Sequence, residues 1–237
     1  MANKPRRVLL KISGESLGGG ELGINTSIFR QISEEVVRAV NDGVQVAIVV
    51  GGGNFFRGEE LQKAGYNRNR ADYMGMLGTV INCLALQDIL LQSGAQVRVQ
   101  TAISMRQVSE SYVPLRAVRH LEKGRVVIFG AGAGMPFFST DTVSIQRALE
   151  IECDEVLMGK NGVDGVYDKD PNVDSSAKKF DHLTYHQALM QELKVMDASA
   201  MSLADTNSMK MRVFGLDGDN VYKALIGENI GTSVTKN

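Results

Sequence analysis

Residues 130–141 read Gly130-Ala131-Gly132-Ala133-Gly134-Met135-Pro136-Phe137-Phe138-Ser139-Thr140-Asp141, between an apolar run at 125–129 and a helical pattern that begins near residue 142. This order predicts a strand, a glycine loop and a helix. Alternate glycines let backbone N–H groups turn towards a ligand without a clash at Cβ, and residues 139–141 are of types that cap helices. Because helix N-termini favour phosphate, the segment predicts an anion site; a tight strand-to-helix turn is the alternative.

A second glycine loop occurs earlier in the chain. Residues 8–12 form a short apolar run that contains Lys11, a helical pattern follows, and residues 44–50 are almost continuously apolar before Gly51-Gly52-Gly53-Asn54. This pattern predicts a βαβ unit with a buried parallel strand. Ligands of open α/β sheets collect at the carboxyl ends of the strands, so we expect Lys11 and both glycine loops to converge there.

Composition and charge narrow the class of protein. The 237 residues carry a formal charge of −1 with dispersed lysines and arginines, which gives no electrostatic sign of nucleic-acid or anionic-membrane binding. No secretory leader is recognisable, and no apolar stretch approaches the roughly 20 residues that span a bilayer. Two cysteines, in apolar surroundings, favour a reducing compartment. We expect a cytoplasmic protein built as one doubly wound α/β domain with two lobes.

Several charged side chains are candidates for phosphate chemistry, each with a simpler alternative. Lys11 lies near the end of one apolar run and Lys160 follows another; both suit charge neutralisation during phosphoryl transfer, although a strand lysine is more often a snorkelling edge residue. Arg57 suits a bidentate phosphate contact or a solvated loop. Asp72 suits a ribose hydroxyl, but its position favours an N-terminal charge on the helix predicted at 72–93.

Other signals are weaker. Residues 163–167 have the composition of a hairpin turn; within them Tyr167 suits stacking on a base, and Asp170 suits a ribose, but a hairpin aromatic and an Asp-Pro turn are equally good interpretations. The three histidines are scattered without neighbouring ligand types, so we expect no metal site formed by the protein. The loop Gly130-x-Gly132-x-Gly134 departs from the G-x-G-x-x-G pattern because position 135 is Met, and the P-loop and protein-kinase signatures are absent from the sequence.

Taken together, the motifs resemble the bacterial uridylate (UMP) kinases of the amino acid kinase superfamily, over essentially the whole chain. Lysine with glycine loops is shared across that superfamily, whereas Arg57 combined with the helix at Asp72 is similar to UMP kinases in particular. The segments that carry the resemblance are Leu10-Lys11-Ile12-Ser13-Gly14-Glu15, Gly51-Gly52-Gly53-Asn54-Phe55-Phe56-Arg57-Gly58, Asp72-Tyr73-Met74-Gly75-Met76-Leu77-Gly78-Thr79, Pro136-Phe137-Phe138-Ser139-Thr140-Asp141, Val163-Asp164-Gly165-Val166-Tyr167 and Lys194-Val195-Met196-Asp197.

The resemblance implies transfer of a phosphoryl group from Mg-ATP to UMP, giving ADP and UDP, in pyrimidine nucleotide biosynthesis. The implied fold is α/β, a three-layer αβα sandwich with a mostly parallel central sheet, usually assembled as a homohexamer. It implies a single domain, 1–237, with an acceptor-side lobe at about 1–153 and an ATP-side lobe at about 154–237. The implied cofactor is Mg²⁺ bound with ATP.

The resemblance also implies roles for individual residues. The catalytic candidates are Lys11, Asp141 and Lys160, with Asp197 weaker. The ATP-binding candidates are Lys11, Ser13, Gly14, Gly53, Asn161, Tyr167 and Asp170. The UMP-binding candidates are Gly52, Arg57, Asp72, Ala133, Gly134, Met135, Pro136, Phe137, Phe138, Ser139 and Thr140.

Two features bear on specificity and regulation. Many UMP kinases carry Thr-Gly-Asn where this chain has Ala133-Gly134-Met135, so two polar side chains near the expected uracil are lost and we expect Met135 to supply only apolar packing. The family is commonly activated by GTP and inhibited by UTP. The candidate GTP segment is Gly19, Gly20, Glu21, Leu22, Gly23 and Ile24, for which a mobile glycine loop is the alternative.

Two other functions compete with this one. Another amino acid kinase would phosphorylate a carboxylate or carbamate, against which Arg57 and Asp72 argue. A nucleotide-binding or storage oligomer without activity would not need Lys11, Lys160 and Asp141. The apolar helix after Asp72 is a core helix by its composition, whereas the resemblance places it at a dimer interface.

Overall fold

The computed structural model describes residues 4–193 and 195–236; Lys194 and the two ends of the predicted domain lie outside the described residues. The strands are β1 Arg7–Ile12, β2 Gln45–Val50, β3 Val97–Thr101, β4 Glu110–Ser111, β5 Val126–Gly130, β6 Glu155–Lys160, β7 Val166–Tyr167, β8 Lys179–Phe180, β9 His182–Thr184, β10 Met211–Gly215 and β11 Thr232–Thr235. The helices are α1 Gly14–Gly18, α2 Thr26–Asn41, α3 Gly58–Lys63, α4 Arg68–Gln92, α5 Pro114–Glu122, α6 Thr140–Glu150, α7 Tyr185–Met190, α8 Ala198–Thr206 and α9 Asn220–Ile226.

A central sheet orders the described strands as β4-β3-β5-β2-β1-β6-β10-β11-β9. Neighbouring strands run parallel except for the antiparallel pair β10 and β11. Strand β1 lies in the middle, between β2 and β6, so its two faces are covered and its residues are buried throughout. The predicted mostly parallel α/β sheet is confirmed.

Two apolar layers cover the two faces of the sheet. Because side chains alternate along a strand, Leu9 of β1 joins the layer formed with α5, α6 and α8, while Val8, Leu10 and Ile12 join the layer formed with α2, α4 and α9. Burial of these layers supplies most of the favourable free energy of folding. The result is the predicted αβα sandwich, with the carboxyl ends of β1, β2, β5 and β6 at one edge.

Helix α4 begins at Arg68, earlier than the predicted start at Asp72. The side chain of Asn67 caps it by accepting a hydrogen bond from the Arg70 N–H, so Asp72 lies one turn inside the helix and the prediction of an N-terminal helix charge is wrong. Cys83 and Leu86 are among its buried residues, which confirms a core face.

The opposite side of α4 keeps an exposed apolar stripe of Tyr73, Leu77 and Ile81, spaced four residues apart. By length and composition, α4 is apolar enough to cross a membrane, contrary to the expectation that no segment is. Half of its apolar window is buried within the protein, and core helices of soluble proteins pass the same test, so this is weak evidence for a membrane span.

The turn predicted at 163–167 is not a tight hairpin. Strand β7 pairs antiparallel with β8 across the intervening segment 168–178, which forms a longer loop. The Val166 N–H donates to Oγ1 of Thr232, 2.8 Å away, and this bond holds β7 against the end of β11. A partner distant in sequence therefore determines this part of the structure.

Candidate functional site

Two lysines lie on the same face of the sheet, at the carboxyl ends of the adjacent strands β1 and β6. Lys11 shares its face with Leu9, and Lys160 shares its face with Val156, so both face the layer that contains α6. Lys11 is 8% exposed, and its Nζ lies 2.9 Å from Oδ1 of Asp141, in the first turn of α6. The structure thus brings the three predicted catalytic residues together.

The charge balance of this group favours an anion. Nζ of Lys160 donates a hydrogen bond to the Val195 carbonyl oxygen, 3.0 Å away. Burial, followed by the positive charge of Lys11, lowers the pKa of Lys160, while the carboxylate of Asp141 opposes this shift. Two cations and one anion leave one positive charge in a partly desolvated position, which a phosphate would neutralise.

The N-terminus of α6 is fixed by side-chain caps. Ser139 is the N-cap and accepts a hydrogen bond from the Thr142 N–H, 3.1 Å away. Asp197 accepts hydrogen bonds from the hydroxyls of Ser139 and Thr142, and it also caps α8 by accepting from the Ala200 N–H. Asp197, the weaker catalytic candidate, therefore ties two helix N-termini together, and one of these helices carries Asp141.

The loops after β1 and β2 are in direct backbone contact. A Cβ built on Gly14 would lie 2.3 Å from the backbone nitrogen of Gly53, closer than any side chain can approach. Ser13 caps α1 through its hydroxyl, which accepts from the Ser16 N–H at 3.1 Å. Glycine is required at position 14 because the two loops, and hence their N–H groups, meet there.

A cavity of about 880 Å³, the lysine cavity, opens at this edge of the sheet. Polar and charged residues line it together with the apolar Leu22, Phe55, Phe56 and Leu61. Lining residues from the predicted set are Lys11, Ser13, Gly53, Arg57, Lys160 and Asn161, joined by Gly20, Glu21 and Leu22 of the candidate GTP segment. The predicted GTP segment therefore lies partly in the wall of this cavity, while its members Gly19, Gly23 and Ile24 are not among the lining residues.

A second cavity of about 430 Å³, the Asp72 cavity, adjoins the first. The two share Gly53, Phe56, Arg57 and Glu60 as a common wall. Predicted acceptor residues in its lining are Gly52, Arg57, Asp72, Met135, Phe138, Ser139 and Thr140. Ala133, Gly134, Pro136 and Phe137 are not among the lining residues, and the loop backbone has left-handed φ at Gly134 and Phe137.

Asp72 holds the glycine loop and the helix together. Its Oδ1 accepts a hydrogen bond from Nε of Arg68, 2.8 Å away, and its Oδ2 accepts one from the Phe137 N–H at 2.9 Å. Arg57, half-exposed on the common wall, forms an ion pair with Glu15, and its Nε lies 3.7 Å from a carboxylate oxygen of Glu60. Both predicted acceptor side chains therefore have protein partners in this structure.

Tyr167 and Asp170 line a separate cavity of about 410 Å³ that shares no lining residue with the lysine cavity. The Tyr167 hydroxyl donates to Oδ1 of Asp164, 2.5 Å away, and this bond raises the pKa of Tyr167. Asp170 accepts from the N–H of Asn172 in a local turn. The structure does not bring these two predicted ATP residues into one cavity with Lys11.

Sequence reasoning missed several residues of the site. Arg68 and Lys63 add positive charge to the Asp72 cavity, and Arg68 precedes Asp72 by four residues, the helical spacing at which opposite charges meet. Oγ1 of Thr79 accepts a hydrogen bond from the Ala131 N–H, 2.8 Å away, and this bond joins α4 to the loop after β5. Nothing local in the sequence indicates the partner of Thr79.

Comparisons with known proteins identify the family of this chain. The model of the amino acid kinase family matches residues 6–215. A uridylate kinase of Bifidobacterium adolescentis is 68% identical over 234 residues, 98% of this chain and 94% of the relative. A UMP kinase structure from Bacillus anthracis has a TM-score of 0.93 at 40% identity, covering 99% and 98% of the two chains; one from Ureaplasma parvum has 0.89 at 36%, covering 99% and 100%. The chain belongs to the amino acid kinase family, among the bacterial uridylate kinases.

Proposed function

We propose that this protein transfers the γ-phosphoryl group of Mg-ATP to UMP, giving ADP and UDP, as a step of pyrimidine nucleotide biosynthesis. The observation that carries the proposal is the common wall of the lysine cavity and the Asp72 cavity, in which Gly53 and Arg57 face both sides. Two adjoining cavities that share a glycine backbone and a guanidinium suit two phosphate groups placed end to end. Membership of the uridylate kinases supports the choice of UMP.

The proposed reaction needs little proton chemistry. An anionic oxygen of the UMP phosphate attacks the γ-phosphorus, the bond to the β–γ bridging oxygen breaks, and ADP leaves with that electron pair. Lys11 and Lys160 neutralise charge on the migrating group, and Asp141 holds Lys11 in place through the 2.9 Å ion pair. Catalysis then comes from positioning and from electrostatic stabilisation rather than from a strong general base.

We assign the acceptor to the Asp72 cavity. Arg57 would exchange its carboxylate partner for the UMP phosphate, beside the Gly52 backbone. Asp72 would accept from the ribose, and the loop 133–140 would enclose the nucleotide, with Met135 and Phe138 as apolar contacts in the cavity lining. The half-exposed positions of these two side chains fit a surface that a base would cover.

We assign the ATP phosphates to the lysine cavity, with Ser13, Gly14, Gly53 and Asn161 beside Lys11. The Tyr167 cavity is then the proposed place for the nucleoside end of ATP, with Asp170 at the ribose. The described residues contain no cluster of three or more metal-ligating side chains. Mg²⁺ fits here as an ion that takes most of its oxygens from the phosphates and water, and it would neutralise phosphate charge when bound.

The test is release of ADP from Mg-ATP with UMP, CMP, dTMP, glutamate and carbamate offered separately, each with and without GTP or UTP. Turnover with UMP alone is the expected result. Turnover with glutamate or carbamate would assign the chain to another phosphotransfer reaction, and no turnover with any acceptor would favour a binding function. Regulation by GTP and UTP is part of the proposal, since residues 20–22 line the lysine cavity.

The alkaline limb of the pH profile should depend on Lys160. Because its pKa is lowered by burial and by Lys11, its charge is lost as the pH rises through a value below the usual ~10.4 of lysine. The pH dependence of kcat/KM reports the pKa of Lys160 in the free enzyme, whereas that of kcat reports its pKa in the substrate complex. Because bound phosphates raise the pKa of Lys160 again, we expect kcat/KM to fall at lower pH than kcat. In Lys160→Arg the residual activity should lose this limb, as a guanidinium stays protonated. An unchanged alkaline limb in that variant would contradict the assignment.

We also propose that the protein assembles as a homohexamer in which the exposed stripe on α4 forms a dimer interface. Leu77 and Ile81 are 47% and 45% exposed, and with Tyr73 they form a contiguous apolar surface on α4. Ile81→Glu should shift the mass measured by light scattering to a smaller species, whereas Val173→Glu, an equally drastic change on the distant 168–178 loop, should not. A full-size assembly in Ile81→Glu would contradict this interface.

The buried free thiols of Cys83 and Cys153 are consistent with the cytoplasmic location that we propose.

A further inference from the structure

Two asparagines form a buried amide pair between α4 and the loop after β2. Asn82 is 0% exposed and Asn54 is 4% exposed. Nδ2 of Asn54 donates to Oδ1 of Asn82 at 3.0 Å, and Nδ2 of Asn82 donates to Oδ1 of Asn54 at 2.7 Å. Polar groups this deeply buried are costly unless they are satisfied, so the reciprocal bonds fix the two side chains in one arrangement.

The remaining amide protons of the pair reach two loops. Asn82 donates its second proton to the Gly51 carbonyl oxygen at 2.8 Å, and Asn54 donates its second proton to the Gly23 carbonyl oxygen at 2.7 Å. The Gly23 N–H in turn donates to the backbone oxygen of Asn54 at 2.9 Å. All four amide protons are therefore used, and the pair connects α4, the loop 51–54 and the loop 18–24.

The pair also sits directly beneath the loop after β1. A Cβ on Gly14 would lie 2.7 Å from Oδ1 of Asn54, and a Cβ on Gly18 would lie 2.9 Å from Cβ of Asn54. Both ends of α1 therefore rest against this one side chain. Any movement of Asn54 would shift the backbone of Gly53 and the start of α1 together.

We propose that Asn54 and Asn82 are positioning residues that set the phosphate-facing backbone of both cavities and couple it to the loop 18–24. The proposal rests on the phosphoryl transfer proposed above. The pair acts through the loop 51–54: Asn82 lines neither cavity, Asn54 lies in the lining of the lysine cavity, Gly52 lines the Asp72 cavity and Gly53 lines both. Through its bond to the Gly51 carbonyl oxygen, the buried amide of Asn82 connects α4 to the catalytic edge of the sheet. The preceding residue, Ile81, belongs to the exposed stripe on the other side of the same helix.

Asn82→Leu tests the proposal because it keeps a similar volume and removes every hydrogen bond of that amide. The expected result is a fall in kcat/KM of about 10- to 100-fold for both UMP and ATP, the size of effect that a misplaced catalytic geometry produces. Hydrogen exchange at the Gly23 N–H should also become faster. Leu86→Ala, on the same buried face of α4 one turn away, is the control; it should lower thermal stability but leave both measurements unchanged.

Asn82→Ser provides a second variant in case the leucine variant does not fold, and a smaller loss in the same direction is expected. A double variant with Asn54→Ala should be no worse than the Asn82 change alone, because the two amides act as one unit. The proposal would be overturned if kcat/KM in the Asn82 variants fell no further than in Leu86→Ala, or if hydrogen exchange at the Gly23 N–H were unchanged in them. If the wild-type protein does not phosphorylate UMP, the proposed function is wrong. The role of the pair is then still tested by comparing hydrogen exchange at the Gly23 N–H and the affinity for ADP between the wild type and Asn82→Leu.

Discussion

Lys11→Met is expected to lower kcat about 10²- to 10³-fold, with a smaller change in the KM for UMP, which corresponds to the loss of one strong transition-state contact. The reason is geometric and electrostatic. Lys11 is nearly buried at the carboxyl end of β1, and it faces the cavity in which the phosphates are proposed to lie. Positive charge placed in a partly desolvated position stabilises the migrating group more than the same charge would in water.

The same substitution removes the partner of Asp141, so loss of stability must be separated from loss of catalysis. Breaking one side of a buried ion pair typically costs about 3–5 kcal/mol, whereas removing both charges is often nearly neutral. Lys11→Met combined with Asp141→Asn should therefore recover most of the wild-type thermal stability without recovering kcat. Recovery of activity in the double variant would show that Lys11 matters for folding alone.

Much of this arrangement was predictable from the pattern of the sequence. Glycine loops directly after apolar runs predicted where the parallel strands end, and the two-residue alternation of β1 and β6 places Lys11 and Lys160 on one face. The first turn of α6 follows the loop 130–139 at the same edge of the sheet, so Asp141 lies within reach of Lys11. Strand ends, the alternation of side chains along a strand and the start of a helix after a loop all depend on residues close in sequence, so a single sequence is enough to predict them.

The features that were not predictable depend on partners distant in sequence. The choice of Asp72 as the helix start failed because Asn67 supplies a better cap, and the carboxylate then serves the Phe137 N–H instead. Val166, which lines the separate cavity at Tyr167, is bonded to Thr232, a partner that no local pattern indicates. The sequence shows Asn82 as a polar residue in an apolar helix, but not which residue satisfies it.

The Arg57→Ala substitution is expected to raise the KM for UMP about 10- to 100-fold, because hydrogen bonds to a charged group are worth roughly 1.5–3 kcal/mol. The KM for ATP should change far less, since Lys11 and Lys160 remain. Arg70→Ala, an exposed arginine near the start of α4 that is not in the lining of either cavity, is the matched control. An equal rise in both KM values would indicate a general loss of structure.

The ion pair between Arg57 and Glu15 gives this prediction a second, opposite test. Glu15 is paired with the guanidinium in this structure, so an incoming phosphate must displace a carboxylate before it binds. Glu15→Gln should therefore lower the KM for UMP several-fold, and the effect should vanish in the Arg57→Ala background. If Glu15→Gln raised the KM, the carboxylate would be holding Arg57 in its binding position rather than competing with the substrate. That outcome would still leave Arg57 as the phosphate contact but would reverse the role of its partner.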